Sequence, residues 1–328
     1  MRAAILTDDH TFDVVEVADP TPDAGQLVLR VRACGICGSD LKAYTVFPAG
    51  TVLGHEFCGE VVAVGPGTDG AWRDGQLVAG MPLGTCGTCR WCLAGEPAHC
   101  ERVDMQGVGG SPGAFAELVR IDAASAIPLA AGIDELGALT EPLAVGLHAV
   151  ATADLRPGDR VLVIGGGNVG AAVTVWARRL GVEDVTVSDP APTRRAAAAT
   201  FGATGVHDPG EGPPPPGFDV VFECVGAAGM VQAAIDAAGV HGRVVIAGVC
   251  AKPDQIMPVA ALVKEVDLRF AVYYRRDEFV AAAALLASGE IDARAFVSGH
   301  VALDGVQGAF GTLLSTTTER KILVTPNG

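Results

Sequence analysis

Arg160-Val161-Leu162-Val163-Ile164 runs directly into Gly165-Gly166-Gly167-Asn168-Val169-Gly170, and this junction constrains the fold more than any other part of the chain. Consecutive apolar residues without alternation describe a strand covered on both faces, as in a parallel sheet. Residues 171–180 have helical composition, Gly181 stops them, and Val185-Thr186-Val187-Ser188 gives a second strand. Strand candidates at 219–223 and 243–247, with a helix near 230–238 between them, continue the rhythm. Such alternation predicts an α/β fold with a doubly wound parallel sheet over residues 155–288. The four-proline stretch within 210–217 reads as a surface loop, because the alternation resumes after it.

The spacing Gly165-x-Gly167-x-x-Gly170 carries weight because it follows a strand, opens a helix and is trailed about twenty residues later by Asp189. The first glycine permits a tight turn, the second lets backbone approach a pyrophosphate, and the third lets helix and strand pack closely. The helix N-terminus then offers free N–H groups to phosphate. Gly165, Gly167, Asn168, Val169 and Gly170 are therefore the candidate cofactor contacts. Asp189 would accept both adenosine-ribose hydroxyls and repel a 2′-phosphate, favouring NAD over NADP. Arg194 and Arg195 keep NADP open, and Asp189 also reads as an N-cap for the run from Thr193.

Residues 1–154 look β-rich: Val14-Val15-Glu16-Val17, Leu27-Val28-Leu29-Arg30-Val31 and the run from Gly59 to Gly65 are short β-branched stretches broken by Gly and Pro. The tail, 289–328, reads as strand, helix and strand, and is expected to return to the first part. Lys and Arg total 23 against 38 Asp and Glu, a net charge of −15. That balance argues against a nucleic-acid partner and against an anionic membrane surface. No run of eighteen apolar residues occurs and the N-terminus turns acidic at once, so no membrane span or signal peptide is expected, and the chain reads as cytoplasmic.

Nine cysteines in a reducing compartment are expected to bind metal or stay free. Cys86, Cys89, Cys92 and Cys100 crowd into fifteen residues, a spacing suited to tetrahedral Zn²⁺ with every position filled by protein. This lobe, residues 86–100, should be structural. The bland alternative is a set of free or oxidised cysteines, and a nucleic-acid zinc ribbon is disfavoured by the acidic charge.

A second constellation combines Gly35-Ile36-Cys37-Gly38-Ser39-Asp40 with Gly54-His55-Glu56. One thiolate and one imidazole are good zinc ligands, and a catalytic ion needs a third ligand and an exchangeable position. Glu141, in Thr140-Glu141-Pro142-Leu143, is the favoured third ligand, with Glu56 a candidate for transient coordination. Asp40 would orient His55 through its other ring nitrogen, and Ser39 would pass a proton outward. Each residue alone is weak evidence, since an isolated histidine is more often structural; the ordered pair of motifs raises the odds.

Taken in order, these motifs resemble the zinc-dependent medium-chain dehydrogenase/reductase family, in its alcohol and polyol dehydrogenase branch. The likeness covers nearly the whole chain, and the Glu141-Pro142-Leu143 form resembles sorbitol and butanediol dehydrogenases. It implies a GroES-like catalytic domain (1–154), a Rossmann domain (155–288) and a returning tail (289–328). It further implies two zinc ions per chain, catalytic ligands Cys37, His55 and Glu141 with Glu56 beside the ion, and a homodimer or homotetramer. Val225 with Gly226, and Gly248 with Val249, become neighbours of the nicotinamide. The position where relatives place a proton-relaying histidine holds Lys42, and the place of their Phe-Arg-Tyr triplet holds Val272-Tyr273-Tyr274. These departures argue against sorbitol itself as substrate.

The function so implied is reversible oxidation of a secondary alcohol or polyol to a ketone, with hydride passing to NAD. Zinc would lower the alcohol pKa from roughly 16 towards neutrality, with Ser39 and then Lys42 removing the proton. Two rivals are a catalytically silent dinucleotide-binding sensor and a zinc-independent quinone or enoyl reductase. Cys34 with Cys37 also admits a redox pair. Cys58, Cys224 and Cys250 read as buried strand residues, His148 and Trp176 as packing, and Tyr44, Phe47, Tyr273 and Tyr274 as pocket candidates by position.

Overall fold

The structure is a computed structural model that describes residues 1–68, 70–315 and 319–328, without the side chain of Ala43. It divides into two compact units, Met1–Glu141 with Arg275–Gly328, and Pro142–Tyr274.

The first unit is built on a sheet whose strands run in the order Gly299–Val301, Ile322–Val324, Gln26–Gly35, Glu56–Val64, Leu77–Gly80 and Ala126–Pro128, with Leu118–Asp122 also paired to Gln26–Gly35. Gln26–Gly35 pairs antiparallel with Glu56–Val64 through two register shifts, the irregularities that let a long strand bend around a core. Gly59 is required there, because a Cβ would lie 2.5 Å from the Arg30 carbonyl oxygen. A separate ribbon joins Arg2–Leu6 to Phe12–Glu16; the first of these strands was not legible as such. The tail strand Ile322–Val324 pairs with the end of Gln26–Gly35, Leu323 opposite Gly35, and this delivers Lys321 to the interior. Phe12, Phe115 and Phe310 form the aromatic centre of this unit's core.

The second unit holds six parallel strands in the order Gly205–His207, Asp184–Ser188, Arg160–Ile164, Phe218–Glu223, Ala238–Ile246 and Asp267–Phe270. The order reverses between Arg160–Ile164 and Phe218–Glu223, the switch point at whose carboxyl ends such sheets bind ligands. Helix Asn168–Arg179 buries Ala171, Ala172, Val173, Val175, Trp176 and Ala177, and Gly181 at φ +87° ends it.

The unit boundaries differ from those expected at 154 and 288. Helix Thr140–Ala153 goes with the second unit from Pro142 onward because its side faces that sheet's helices: Trp176 Nε1 donates to the Leu143 carbonyl at 2.8 Å, and a Cβ on Gly146 would lie 2.5 Å from Ala172 Cβ. Arg243 and Arg269 cap its C-terminus through the carbonyls of Ala153 and Thr152. Helix Arg276–Ser288 belongs instead to the first unit, where Arg275 donates to the Ala94 carbonyl and Arg276 to that of Ala124. Strand and helix periodicity does not reveal which core an element joins. Among the described residues one helical stretch, Asp134–Ala153, is long and apolar enough to cross a membrane by length and composition, yet 67% of its apolar eighteen-residue window is buried within the protein, as expected for a core helix.

Candidate active site

The end of strand Gln26–Gly35 delivers Cys37 to the start of the short helix Gly38–Ala43. Asp40, fully buried, ties the site together: Oδ2 accepts the Cys37 N–H at 2.9 Å and Oδ1 lies 3.2 Å from His55 Nδ1. His55 precedes strand Glu56–Val64. Gly54 before it, at φ +101°, has no room for a side chain, since a Cβ would meet Cys34 Sγ and the Phe115 ring at 2.7 Å. Ser39 Oγ stands 3.5 Å from His55 Nε2.

Ligand atoms of Cys37, His55 and Glu56 lie within 4.8 Å of one another, a thiol–imidazole–carboxylate donor set suited to zinc. Burial disfavours a charged His55, but Asp40 and Cys37 outweigh it and raise its pKa well above the usual range. A metal ion would take the place of a proton on Nε2, while Asp40 stays on the Nδ1 side of the ring. Among the described residues Glu141 is not in this group; buried at the start of its helix, it is near enough for its charge to act on Lys321.

Lys321 is the site residue that sequence reasoning missed. It is 1% exposed, donates to the Ile36 carbonyl at 3.0 Å and reaches both oxygens of the buried Glu56, Oε1 at 2.6 Å. Burial lowers its pKa, but Glu56, Cys37 and Glu141 more than offset this and the net shift is upward. Gly35 makes room for the pair: a Cβ there would sit 2.1 Å from Glu56 Oε2. The available signal was a cation opening an otherwise apolar strand, Lys321-Ile322-Leu323-Val324, because a buried lysine requires a partner.

Lys42 is exposed on the helix that carries Ser39. Tyr44 and Phe47, candidates by position for a pocket, pack against the first unit's core, Tyr44 edge-on to Phe310. Tyr274 is buried, and Tyr273 adopts φ +53°.

In the lobe, the ligand atoms of Cys86, Cys89, Cys92 and Cys100 also lie within 4.8 Å of one another. Backbone N–H groups point at the sulfurs: Cys89 donates to Cys86 at 3.3 Å, and Cys86 and Arg102 donate to Cys100 at 3.3 and 3.4 Å. Donors from Thr88 and then Cys89 bring the Cys86 thiol down to about 5, whereas burial pushes Cys92 up to about 11. Cys34 is buried and its thiol is held protonated by burial, the opposite of a reactive redox thiol. Cys58 is buried as expected, but Cys224 is only partly buried and Cys250 is exposed, since both follow the ends of their strands.

At the glycine turn, Gly165 has φ +99°, and a Cβ on Gly170 would fall 1.8 Å from the Gly165 carbonyl oxygen. Helix Asn168–Arg179 begins directly after Gly167. Asp189 is 2% exposed. Its carboxylate accepts N–H bonds from Gly166 and Ala191, both at 2.8 Å, and Arg194 lies 3.6 Å away. It thus joins the glycine turn to the entry of helix Pro192–Ala198, whose own N-cap is Ala191. Arg195 is committed to the Asp189 and Pro190 carbonyls and to Asp208.

Residues 23–131 match the alcohol dehydrogenase GroES-like domain and residues 168–288 the zinc-binding dehydrogenase domain. The chain belongs to the zinc-dependent medium-chain dehydrogenase family, and it is an oxidoreductase acting on CH–OH donors with a nicotinamide dinucleotide as cofactor. It is 33% identical to 2-dehydro-3-deoxy-L-galactonate 5-dehydrogenase of Pseudoalteromonas atlantica, over 100% of this chain and 99% of that one. To (R,R)-butanediol dehydrogenase of Bacillus subtilis it is 30% identical over 100% of both. A Sinorhizobium meliloti 1021 protein solved with NADP superposes with a TM-score of 0.90 at 32% identity, over 99% of both chains.

Proposed function

We propose that the chain oxidises a secondary alcohol or polyol to the ketone, reversibly, with NAD, at a zinc site formed by Cys37, His55 and a carboxylate. The observation that carries this reading is the clustering of three unlike zinc donors, Cys37 from one segment and the adjacent His55 and Glu56 from another, within 4.8 Å. Zinc held there would supply Lewis-acid polarisation of the substrate hydroxyl. Asp40 fixes the imidazole that would hold the ion and, through the Cys37 N–H, the segment that would bring the Cys37 sulfur to it. Glu56 and Glu141 are the two candidates for the third ligand. With Lys321 bound to it, Glu56 has part of its charge answered inside the protein, which favours Glu141 as the resting ligand and leaves Glu56 to approach transiently. Ser39 takes the hydroxyl proton as it gives up its own, and the exposed Lys42 accepts that proton only as its ammonium releases one to solvent. The four lobe cysteines would hold a second, structural zinc.

Asp189 favours NAD over NADP, since its buried carboxylate would repel a 2′-phosphate. The NADP-bound relative and Arg194 make this a point to test directly. We further infer a cytoplasmic homo-oligomer. Strand Asp267–Phe270 ends its sheet, and Phe270, Leu262 and Val263 beside it are about 70% exposed. Such an edge is satisfied when a second copy pairs with it across a two-fold axis.

The test is NADH formation over a panel of secondary alcohols, diols and cyclitols, with NADP alongside and metal content measured. Two zinc ions per chain, turnover with NAD, and its loss in a folded Cys37→Ser variant are expected. Undiminished turnover in that variant after metal removal would refute the assignment.

A further inference from the structure

Glu223 is 1% exposed and stands at the last rung where three parallel strands end together, opposite Ile164 on one side and Ile246 on the other. Its Oε1 accepts the N–H of Val225 and of Gly226, each at 2.7 Å. Its main-chain carbonyl accepts the N–H of Ala247 and of Gly248, each at 2.9 Å. One residue therefore secures both loops that leave the carboxyl edge of the sheet beside the glycine turn. The packing around it has no slack. A Cβ on Gly248 would lie 2.6 Å from Glu223 Oε2 and 2.2 Å from the Gly226 nitrogen, one on Gly226 would lie 2.4 Å from the Val249 carbonyl oxygen, and one on Gly165 would lie 2.8 Å from Val225 Cγ2.

A carboxylate that fills a core position apolar residues would fill more cheaply needs a reason. Here the reason is geometric: one carboxylate oxygen accepts two successive N–H groups of a sharp turn at once. We propose that Glu223 is a positioning residue for the nicotinamide half of the cofactor, fixing the Val225–Gly226 and Gly248–Val249 backbone against which that half packs. It acts through those loops and does not touch the reacting atoms. The inference rests on the reading of these four residues as the nicotinamide's neighbours.

The test compares two ligands of the intact protein by calorimetric titration. NADH spans the whole site, whereas ADP-ribose lacks the nicotinamide. Glu223→Ala removes the carboxylate that accepts the Val225 and Gly226 N–H groups and is expected to weaken NADH by at least about tenfold, while ADP-ribose changes by less than about threefold. Glu223→Gln keeps an oxygen for both donors and should restore most NADH affinity. If the alanine variant does not fold, Glu223→Asp, which withdraws the same oxygens by one methylene, takes its place with the same expected split. Equal weakening of both ligands, or no weakening of either, overturns the proposal. Failure of the unsubstituted protein to bind ADP-ribose or NADH would instead refute the dinucleotide reading beneath it.

Discussion

Replacing Lys321 by Met removes one ammonium from the interior of the first unit and strands the Glu56 carboxylate, itself 1% exposed. The length and volume of the side chain are nearly kept, so the loss is electrostatic. Breaking a buried pair by removing one partner costs about 3–5 kcal/mol, because the remaining charge stays buried without compensation. At about 2–4 °C per kcal/mol for a unit of this size, the melting temperature should fall by about 6–20 °C. The double variant Lys321→Met/Glu56→Gln should recover most of that loss, since exchanging both members for neutral groups is often nearly neutral. The sign with pH follows from the raised pKa of Lys321, set by burial, which lowers it, and by the stronger upward pull of Glu56 and then Cys37. Stability from a raised ammonium is complete below its ordinary value near 10.5 and fades as pH climbs through the folded value. The gap between variant and parent should therefore be flat from pH 7 to 9. Calorimetric melting of zinc-loaded and chelator-treated protein measures it. A single variant melting within about 2 °C of the parent, or a double variant no better than the single, would refute the reasoning.

Three further outcomes are expected. In metal-stripped protein, alkylation of Cys86 should follow a thiolate that titrates near 5, and the stability its ionised form contributes should be present above the ordinary value of 9 and lost as pH falls through about 5; a profile centred near 9 would contradict the N–H donor geometry. Gly170→Ala, whose Cβ would press on the Gly165 carbonyl, should weaken NADH by at least about tenfold while zinc content stays unchanged. Phe270→Glu, placed at the open sheet edge, should shift the protein to monomer in light scattering; an unchanged mass would move the interface elsewhere.

Much of the second unit was legible because its signals are local. A β-branched run followed by a glycine turn is decided by neighbours within a dozen residues, and the strand Arg160–Ile164 and helix Asn168–Arg179 lie close to where the spacing put them. Cys37, Ser39, Asp40, His55 and Glu56 were likewise legible as motifs. Strand Arg2–Leu6 was missed because Arg-Ala-Ala-Ile-Leu shows no apolar–polar alternation and its two alanines carry little strand signal. The unit boundaries were displaced because helix Thr140–Ala153 is chosen by Trp176, Arg243 and Arg269, none of which is near it in sequence.

Lys321 marks the same limit within the site. Its partner lies 265 positions away, and only the antiparallel return of the tail onto Gln26–Gly35 brings the two together. The chain's own order of residues determined which donors exist, how they are spaced within each segment, and where glycine leaves room for phosphate. Folding decided which carboxylate is held by a lysine and which two strand-end loops Glu223 secures together. Those choices depend on contacts between distant segments, and a one-dimensional pattern carries spacing but not distance.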